Sequence, residues 1–247
     1  MSLGRVRELE EFAFRGWPAL ETIDQAGWRL RFAGGYTKRA NSINPLRPEA
    51  PSDDATLDRL ESPYRQRGQR PVWRLTPLTP AAVGPTLDRR GYPVIEESLL
   101  QVCALESGRF GADPEVRIHA TPVPAWLAAF IEHSPVAPQH RASMLGMLAA
   151  IAKPGFALLE QDGEPMAMAL GAIEGDHMGL FDVLVMPKAR RRGLARRVTE
   201  SLYAWAMSKG ARVAYLQVVA TNAAARPLYQ AQGFRTVYTY HYRAPPA

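Results

Sequence analysis

The sequence predicts an α/β protein in two halves, with a mixed twisted sheet flanked by helices. Three observations favour this fold. Apolar runs of strand length alternate with stretches of helical period in the last third of the chain. Strand, helix, strand in that order indicates parallel pairing, because parallel strands need a helical crossover. A faint repeat also links the first half of the chain to the second, which predicts two related halves.

Composition limits the possible functions. The chain has 247 residues and a formal net charge of +6, which admits an anionic ligand without identifying it. A single cysteine, Cys103, excludes an intrachain disulfide, and the five histidines show no metal-ligand spacing, so we expect no metal site. Cys103 lies in an apolar run and is expected to be a buried hydrophobe. No apolar run approaches the ~18 residues of a membrane span, and the N-terminus is acidic, so a cytoplasmic protein is expected.

Local patterns predict each element of the second half. Residues 179–186 (GLFDVLVM) form an apolar run that Pro187 ends, as in a buried strand. The apolar residues of 193–209 fall on one helical face, and Gly210 follows as a helix-ending glycine. The remaining predictions are strands at 156–160, 166–173, 212–220 and 235–243, helices at 124–133 and 139–151, and a short helix capped by Thr221 and Asn222 that ends before Gly233.

Four points of the first half recur in the second half at a nearly constant distance. A constant offset indicates a duplicated half-domain, with domains at 1–112 and 113–247. Chance alignment is the alternative, because any two α/β halves place glycine after helices. The pairs are Pro45 and Pro187, Gly68 and Gly210, and Gly91 and Gly233, each 142 residues apart, and Val72 and Val213, 141 apart.

An arginine-rich turn precedes the helix that begins near Gly193. Arg190, Arg191 and Arg192 stand at a helix N-terminus, where the macrodipole disfavours each cation by ~0.3–1 kcal/mol. A bound anion would reverse that penalty. Free first-turn N–H groups, the dipole and the guanidinium groups together suit a pyrophosphate, and small residues at 193 and 195 let a ligand approach the backbone. The alternative is a solvated basic face.

This turn resembles the acetyl-CoA-binding motif of the GNAT acetyltransferase superfamily. The motif reads Q/R-x-x-G-x-G/A after a strand and V-x-P, and the chain has Arg190-x-x-Gly193-x-Ala195 after Val185-x-Pro187. Residues 222–234 are similar to the closing motif of that superfamily, N-x-x-A-x-x-L-Y-x-x-x-G-F. The two motifs occur in the expected order, and the resemblance covers about half of the chain, residues 113–243.

The resemblance implies a GNAT fold with splayed central parallel strands, preceded by a smaller GNAT-like half. It implies acetyl-CoA as co-substrate and direct acetyl transfer to a primary amine of a small molecule, peptide or protein. Tyr229 is implied as the general acid for the departing thiolate, and the N–H of Val185 as donor to the thioester oxygen. The implied cofactor-binding residues are Val183, Leu184, Val185, Met186, Arg190, Arg191, Arg192, Gly193, Leu194, Ala195, Asn222, Ala225 and Tyr229.

The general base is less defined by the sequence. Asp182 occupies a strand position that is often acidic in the superfamily, and it is the predicted base. Glu174, Glu160 and a chain of waters are alternatives. Asp182 could instead order the splayed strands or bind the substrate ammonium.

The first half lacks the cofactor motif. Asp53 and Asp54 follow Pro45 and would repel a pyrophosphate, and Leu87 stands at the place of Tyr229. We therefore predict a degenerate copy that shapes the substrate side or packs against the second half, rather than one that binds a second cofactor. The segment at 33–42, which contains Lys38 and Arg39, is expected to face the cleft between the halves, where it could bind an acidic acceptor.

Other functions stay open at this level. The chain could be a catalytically silent acyl-CoA-binding or regulatory module. Nucleic acid is disfavoured because the basic residues are not interleaved with aromatic residues, and no membrane partner is expected. The aromatic run at 235–243 fits either an acceptor channel or a dimer interface, so a homodimer is possible.

Overall fold

One continuous sheet of eleven strands runs through the residues described by the structure, a computed structural model covering 2–134 and 136–246. The first half contains α1 (Leu3–Gly16), β1 (Glu21–Gln25), β2 (Trp28–Phe32), β3 (Ile43–Pro45), α2 (Asp54–Gln66), β4 (Trp73–Leu75), α3 (Val83–Arg89) and β5 (Val94–Ala104). The second contains β6 (Val116–His119), α4 (Pro124–His133), α5 (Arg141–Ala149), β7 (Pro154–Gln161), β8 (Glu164–Glu174), β9 (His177–Val185), α6 (Leu194–Ser208), β10 (Val213–Val219), α7 (Arg226–Ala231) and β11 (Arg235–Arg243).

The two halves exchange their last strands. The strand order is β1-β2-β3-β4-β11-β5-β10-β9-β8-β7-β6. Strand β11 lies between β4 and β5 of the first half, and β5 lies between β10 and β11 of the second half, all in antiparallel pairs. The domain boundary at residue 113 stays a prediction. A single sheet contains strands from both sides of that boundary.

The same order of elements occurs on both sides of this exchange. Strand, helix, strand, helix, strand appears as β3-α2-β4-α3-β5 and again as β9-α6-β10-α7-β11. The first two strands of each series are parallel neighbours. The repeated series of elements agrees with the repeat predicted from the sequence.

The parallel strands β9 and β10 separate at their carboxyl ends. They pair from Val213 opposite His177 to Leu216 opposite Leu180, and no further. Strand β9 also contains a bulge against β8 at Asp182, whose φ is +47°. A bulge bends its strand, which moves the end of β9 away from β10. The splayed parallel strands predicted from the sequence are thus confirmed.

Helices cover both faces of the sheet. Helix α6 packs on one face, where Gly171 of β8 lies against Leu202. Helix α1 packs on the other face, where the Tyr215 hydroxyl donates to the Phe12 carbonyl at 2.8 Å. Cys103 is 2% exposed in this core, as expected for a small hydrophobe. Within the described residues, no helix is both long and apolar enough to cross a membrane.

Candidate active site

A cavity of about 620 Å³ opens where β9 and β10 separate, and we call it the splay cavity. It contains eleven of the thirteen cofactor-binding residues predicted from the sequence. Leu228 is a position of the closing motif, whereas the additional residues Arg196 and Ala224 had no motif signal of their own. The lining residues are Val183, Leu184, Val185, Arg190, Arg191, Gly193, Leu194, Ala195, Arg196, Asn222, Ala224, Ala225, Leu228 and Tyr229.

Two predicted residues lie outside the splay cavity. Met186 is buried, and its N–H donates to the Met166 carbonyl of the neighbouring strand at 3.0 Å. Arg192 turns away and donates to the Gln161 side chain at 2.9 Å. Spacing in the sequence could not show these directions, because they depend on the alternation of the strand and the course of the turn.

The arginine-rich turn presents free donors to the splay cavity. Gly193 has φ of +75°, a left-handed conformation that favours glycine, and helix α6 begins after it without a side-chain cap. A Cβ at Gly193 would meet no atom within 4 Å. Among the described residues, no carboxylate lies within ion-pair distance of Arg190 or Arg191. Backbone donors and two unpaired guanidinium groups therefore suit an anion here.

The backbone of β9 also faces the splay cavity. The N–H of Met186 bonds to β8, and successive residues of an antiparallel ladder point in opposite directions. The N–H of Val185 therefore points toward the gap, where β10 no longer pairs with β9. This donor is open to an extended ligand or to a carbonyl oxygen.

Tyr229 reaches the splay cavity from α7. It is 8% exposed, and its hydroxyl makes no hydrogen bond with any described side chain. Burial raises the pKa of Tyr229 to about 12, so the phenol stays protonated at neutral pH and can donate. Its ring is held edge-on to Phe234, with 5.9 Å between the centroids.

The predicted start of helix α7 is wrong. The helix begins at Arg226, several residues after Asn222. Pro227 suits the first turn of a helix because it lacks the N–H that would be unpaired there. Asn222 instead stabilises the preceding turn, where its Oδ1 accepts from the Ala225 N–H at 3.0 Å. It lines the splay cavity from that turn.

Asp182 lies at the bulge of β9 rather than on the splay cavity wall. One of its carboxylate oxygens is buried with no hydrogen-bond partner among the described residues. Burial raises its pKa to about 6, and the nearby Arg39 guanidinium partly opposes that rise. Of the alternative bases, Glu174 pairs with Arg15 at 3.1 Å at the far end of β8, and Glu160 lies on β7.

A second cavity of about 260 Å³ lies on the face of the sheet that carries α1, and we call it the tyrosine cavity. Gln217 points into it, on the same side of β10 as Tyr215. The aromatic run of β11 thus lines an internal cavity, and Tyr240 and Tyr242 are buried within the chain. The lining residues are Thr37, Lys38, Arg39, Glu96, Ser98, Gln217, Val219, Tyr240 and Tyr242.

A family profile described as "Probable histone acetyltransferase Rv0428c C-terminal" matches residues 4–243. The chain belongs to this family. The uncharacterized N-acetyltransferase YobR of Bacillus subtilis is 25% identical over 244 residues, which cover 96% of this chain and 98% of YobR. The chain is therefore a GNAT-type N-acetyltransferase, and the superfamily as a whole uses acetyl-CoA.

Solved structures show the same fold for this acetyltransferase. A GCN5-related N-acetyltransferase from Kribbella flavida aligns with a TM-score of 0.72 at 15% identity, over 100% of this chain and 97% of that one. A tandem GNAT protein from the clavulanic acid biosynthesis pathway aligns with a TM-score of 0.62 at 10% identity, over 97% and 88% of the two chains. At these identities the likeness concerns the fold.

Among the described residues, no group of three or more His, Cys, Asp or Glu side chains is placed to hold a metal ion.

Proposed function

We propose that this acetyltransferase binds acetyl-CoA in the splay cavity and transfers the acetyl group directly to the primary amine of an acceptor bound in the tyrosine cavity. The observation that carries the proposal is the turn at Gly193, where the uncapped N-terminus of α6 and two unpaired arginines face one cavity. A pyrophosphate provides the negative charge that this turn lacks. Gln217 and Val219 line the tyrosine cavity from the part of β10 that no longer pairs with β9, so both cavities adjoin the separated strands, which suits a ternary complex.

The residues at the gap have distinct roles in this proposal. The neutral amine nitrogen bonds to the thioester carbon, and Asp182 accepts the proton that the nitrogen loses as this bond forms. The N–H of Val185 donates to the thioester oxygen as negative charge develops on it. The carbon–sulfur bond breaks, and Tyr229 donates a proton to the departing sulfur. Its raised pKa keeps that proton available at neutral pH.

The first half has a supporting role in this proposal. It supplies Lys38, Arg39 and Glu96 to the tyrosine cavity, and its helix α2 has Asp53 and Asp54 at its N-terminus, where α6 follows the arginine-rich turn. We therefore expect one acetyl-CoA for each chain. A cytoplasmic location and a homodimer stay predictions from the sequence.

A calorimetric titration of acetyl-CoA tests this proposal. The wild-type protein should bind one equivalent, and Gly193→Glu should lose binding by at least a hundredfold because a carboxylate would occupy the anion site. Gly68→Glu is the matched control. Gly68 also has a positive φ, +64°, and open space around its Cβ, but it lies in the first half.

Each outcome of the titration has a clear meaning. One site that is lost in Gly193→Glu and retained in Gly68→Glu supports the proposed site. Two sites for each chain would show that the first half also binds the cofactor. No binding to the wild-type protein would contradict the proposal. Binding without release of free thiol in the presence of any amine would instead favour a silent acyl-CoA-binding module.

A further inference from the structure

We infer that the acceptor is a small amine that also carries a carboxylate, which binds to three arginines at the floor of the tyrosine cavity. The inference rests on the proposed function, because it treats the tyrosine cavity as the acceptor site. It adds the chemical class of the acceptor, an amino acid or a close relative of one.

The floor is a small space of about 10 Å³ below the tyrosine cavity. Arg39 and Gln217 line both spaces, so the floor continues from the larger cavity. Its volume is about that of one water-sized probe, enough for a single ligand oxygen. The floor is lined by Ala13, Phe14, Arg31, Arg39, Arg74 and Gln217.

Two of the three arginines form no ion pair with a carboxylate among the described residues. Arg31 is 3% exposed and donates to main-chain carbonyls, including that of Phe14 at 3.0 Å and that of Arg39 at 2.7 Å. Its burial lowers the pKa of the guanidinium to about 10, which reflects the cost of holding this charge away from water. Arg39 stacks on Trp17 at 5.0 Å and forms no ion pair there.

Arg74 adds unpaired donors to the floor. It is 3% exposed, and its Nη1 is paired with the carboxylate of Glu10. Its Nε and Nη2 are buried with no hydrogen-bond partner among the described residues, and its guanidinium lies 3.9 Å from the Tyr240 ring centroid. The Tyr242 hydroxyl at the cavity wall is buried without a partner too. Buried donors are rarely left unpaired, so this set indicates a site for an acceptor atom of a ligand.

The charges around the two spaces favour an anion. Lys38 is paired with Glu96 at 3.0 Å, and Glu10 offsets Arg74. Asp182 offsets the charge of Arg39, so Arg31 leaves an excess of positive charge that a simple ammonium would increase. A carboxylate on the same molecule removes this excess.

Asp182 defines the direction in which the amine of the acceptor points in this inference. Its charge interacts with Arg39, which also lines the floor. A carboxylate held at the floor thus leaves the amine of the same molecule free to reach toward Asp182 and the splay. The volume of about 260 Å³ suits a small molecule of amino-acid size.

Matched pairs of amines test the inference through kcat/KM, measured as acetyl-CoA-dependent thiol release. The pairs are glycine and methylamine, L-lysine and cadaverine, and L-phenylalanine and phenethylamine, whose members differ only by the carboxylate. The carboxylate-bearing member of at least one pair should react about tenfold better or more. Arg39→Gln should erase that preference, and Arg67→Gln should retain it, because Arg67 lies on Phe32 and pairs with Glu21 outside the cavity.

A binding measurement decides the case in which no amine of the panel reacts. N-acetylglycine and inorganic phosphate are titrated by calorimetry into the full-length wild-type protein and into Arg39→Gln. Binding of N-acetylglycine that requires Arg39 supports the inference. Equal reaction of both members of each pair, no binding of N-acetylglycine, or binding of phosphate alone would overturn it. If acetyl-CoA still binds at one site, the proposed function survives that failure.

Discussion

Helices α2 and α6 occupy equivalent places in the two halves, yet their N-termini differ. Asp53 caps α2, where its Oδ1 accepts from the Thr56 N–H at 2.9 Å, and Asp54 adds negative charge to the first turn. Helix α6 has no side-chain cap and follows Gly193. The first half therefore satisfies a first-turn donor of its helix with a side chain, whereas α6 has no side-chain acceptor at its N-terminus.

The side chains near each pair of parallel strands also differ between the halves, because the first half has apolar residues where the second has polar ones. Leu87 is fully buried in the first half, whereas Tyr229 lines a cavity in the second. Asp182 is charged and strained, and Ala40, which stands 142 residues earlier, is buried and apolar. The first half is filled by aromatic packing, for example Trp28 edge-on to Trp73 at 5.4 Å. The first half also supplies the strand β5 and the arginines that line the floor of the tyrosine cavity.

Replacing the tyrosine that distinguishes α7 from α3 should have the largest effect on catalysis. Tyr229→Phe removes the proposed acid, so kcat should fall by about 10²–10⁴-fold while the affinity for acetyl-CoA stays unchanged. Stopped-flow or steady-state thiol release measures this directly. Tyr92→Phe in the first half, which removes a hydroxyl bonded to Glu61, should leave kcat intact. An undiminished kcat in Tyr229→Phe would show that the hydroxyl is not the acid.

The bulge carboxylate should show opposite effects on stability and on turnover. The pKa of Asp182 rises from 3.8 to about 6 on folding, so its charge costs stability above pH 6. Asp182→Asn should raise the free energy of unfolding by about 1–3 kcal/mol at pH 8 and lower kcat. Below pH 3.8 both states are protonated, so no gain is expected there.

Urea unfolding of wild type and Asp182→Asn at pH 8 and near pH 3.5 checks the sign of this effect. An equal gain at both values would trace the stabilisation to packing instead of charge. Lower stability of the variant at pH 8 would contradict burial as the cause of the raised pKa.

Removing the cap that distinguishes α2 from α6 should have the smallest effect. Asp53→Ala leaves the first-turn donors of α2 without their side-chain acceptor, so the melting temperature should fall by about 2–4 °C. Acetyl-CoA affinity should not change, because α2 has no ligand role in this comparison. Asp53→Asn should retain the wild-type melting temperature, since asparagine caps equally well. A loss of acetyl-CoA binding in Asp53→Ala would show that the first half takes part in the cofactor site.

Local sequence signals accounted for the parts of the site built by neighbouring residues. The run from Val185 to Ala195 contains a strand, a stop and a turn, each specified by residue types a few positions apart, and the predicted site follows them. Local patterns did not single out Arg31 and Arg74 as candidate binding residues, because each has the sequence surroundings of an ordinary strand residue. Their proposed role in binding the acceptor carboxylate depends on contacts between distant parts of the chain, which together line one small space. The start of α7 was misplaced because the cap signal at Asn222 also suits a turn.

The sequence by itself determined the order of strands and helices from residue 124 onward and the arginine-rich turn before α6. These features depend on backbone preferences, periodicity and charge within a few residues. Only the tertiary structure decided that β5 and β11 exchange between the halves and that their side chains line a cavity whose floor brings Arg31, Arg39 and Arg74 together. Pairing Thr236 with Gln101 joins residues far apart in the chain, and hydrophobic patterning cannot distinguish that partner from other apolar strands. The choice is made by packing both halves into one sheet, where every inner strand has two neighbours and most of its backbone groups are paired, except where β9 and β10 separate.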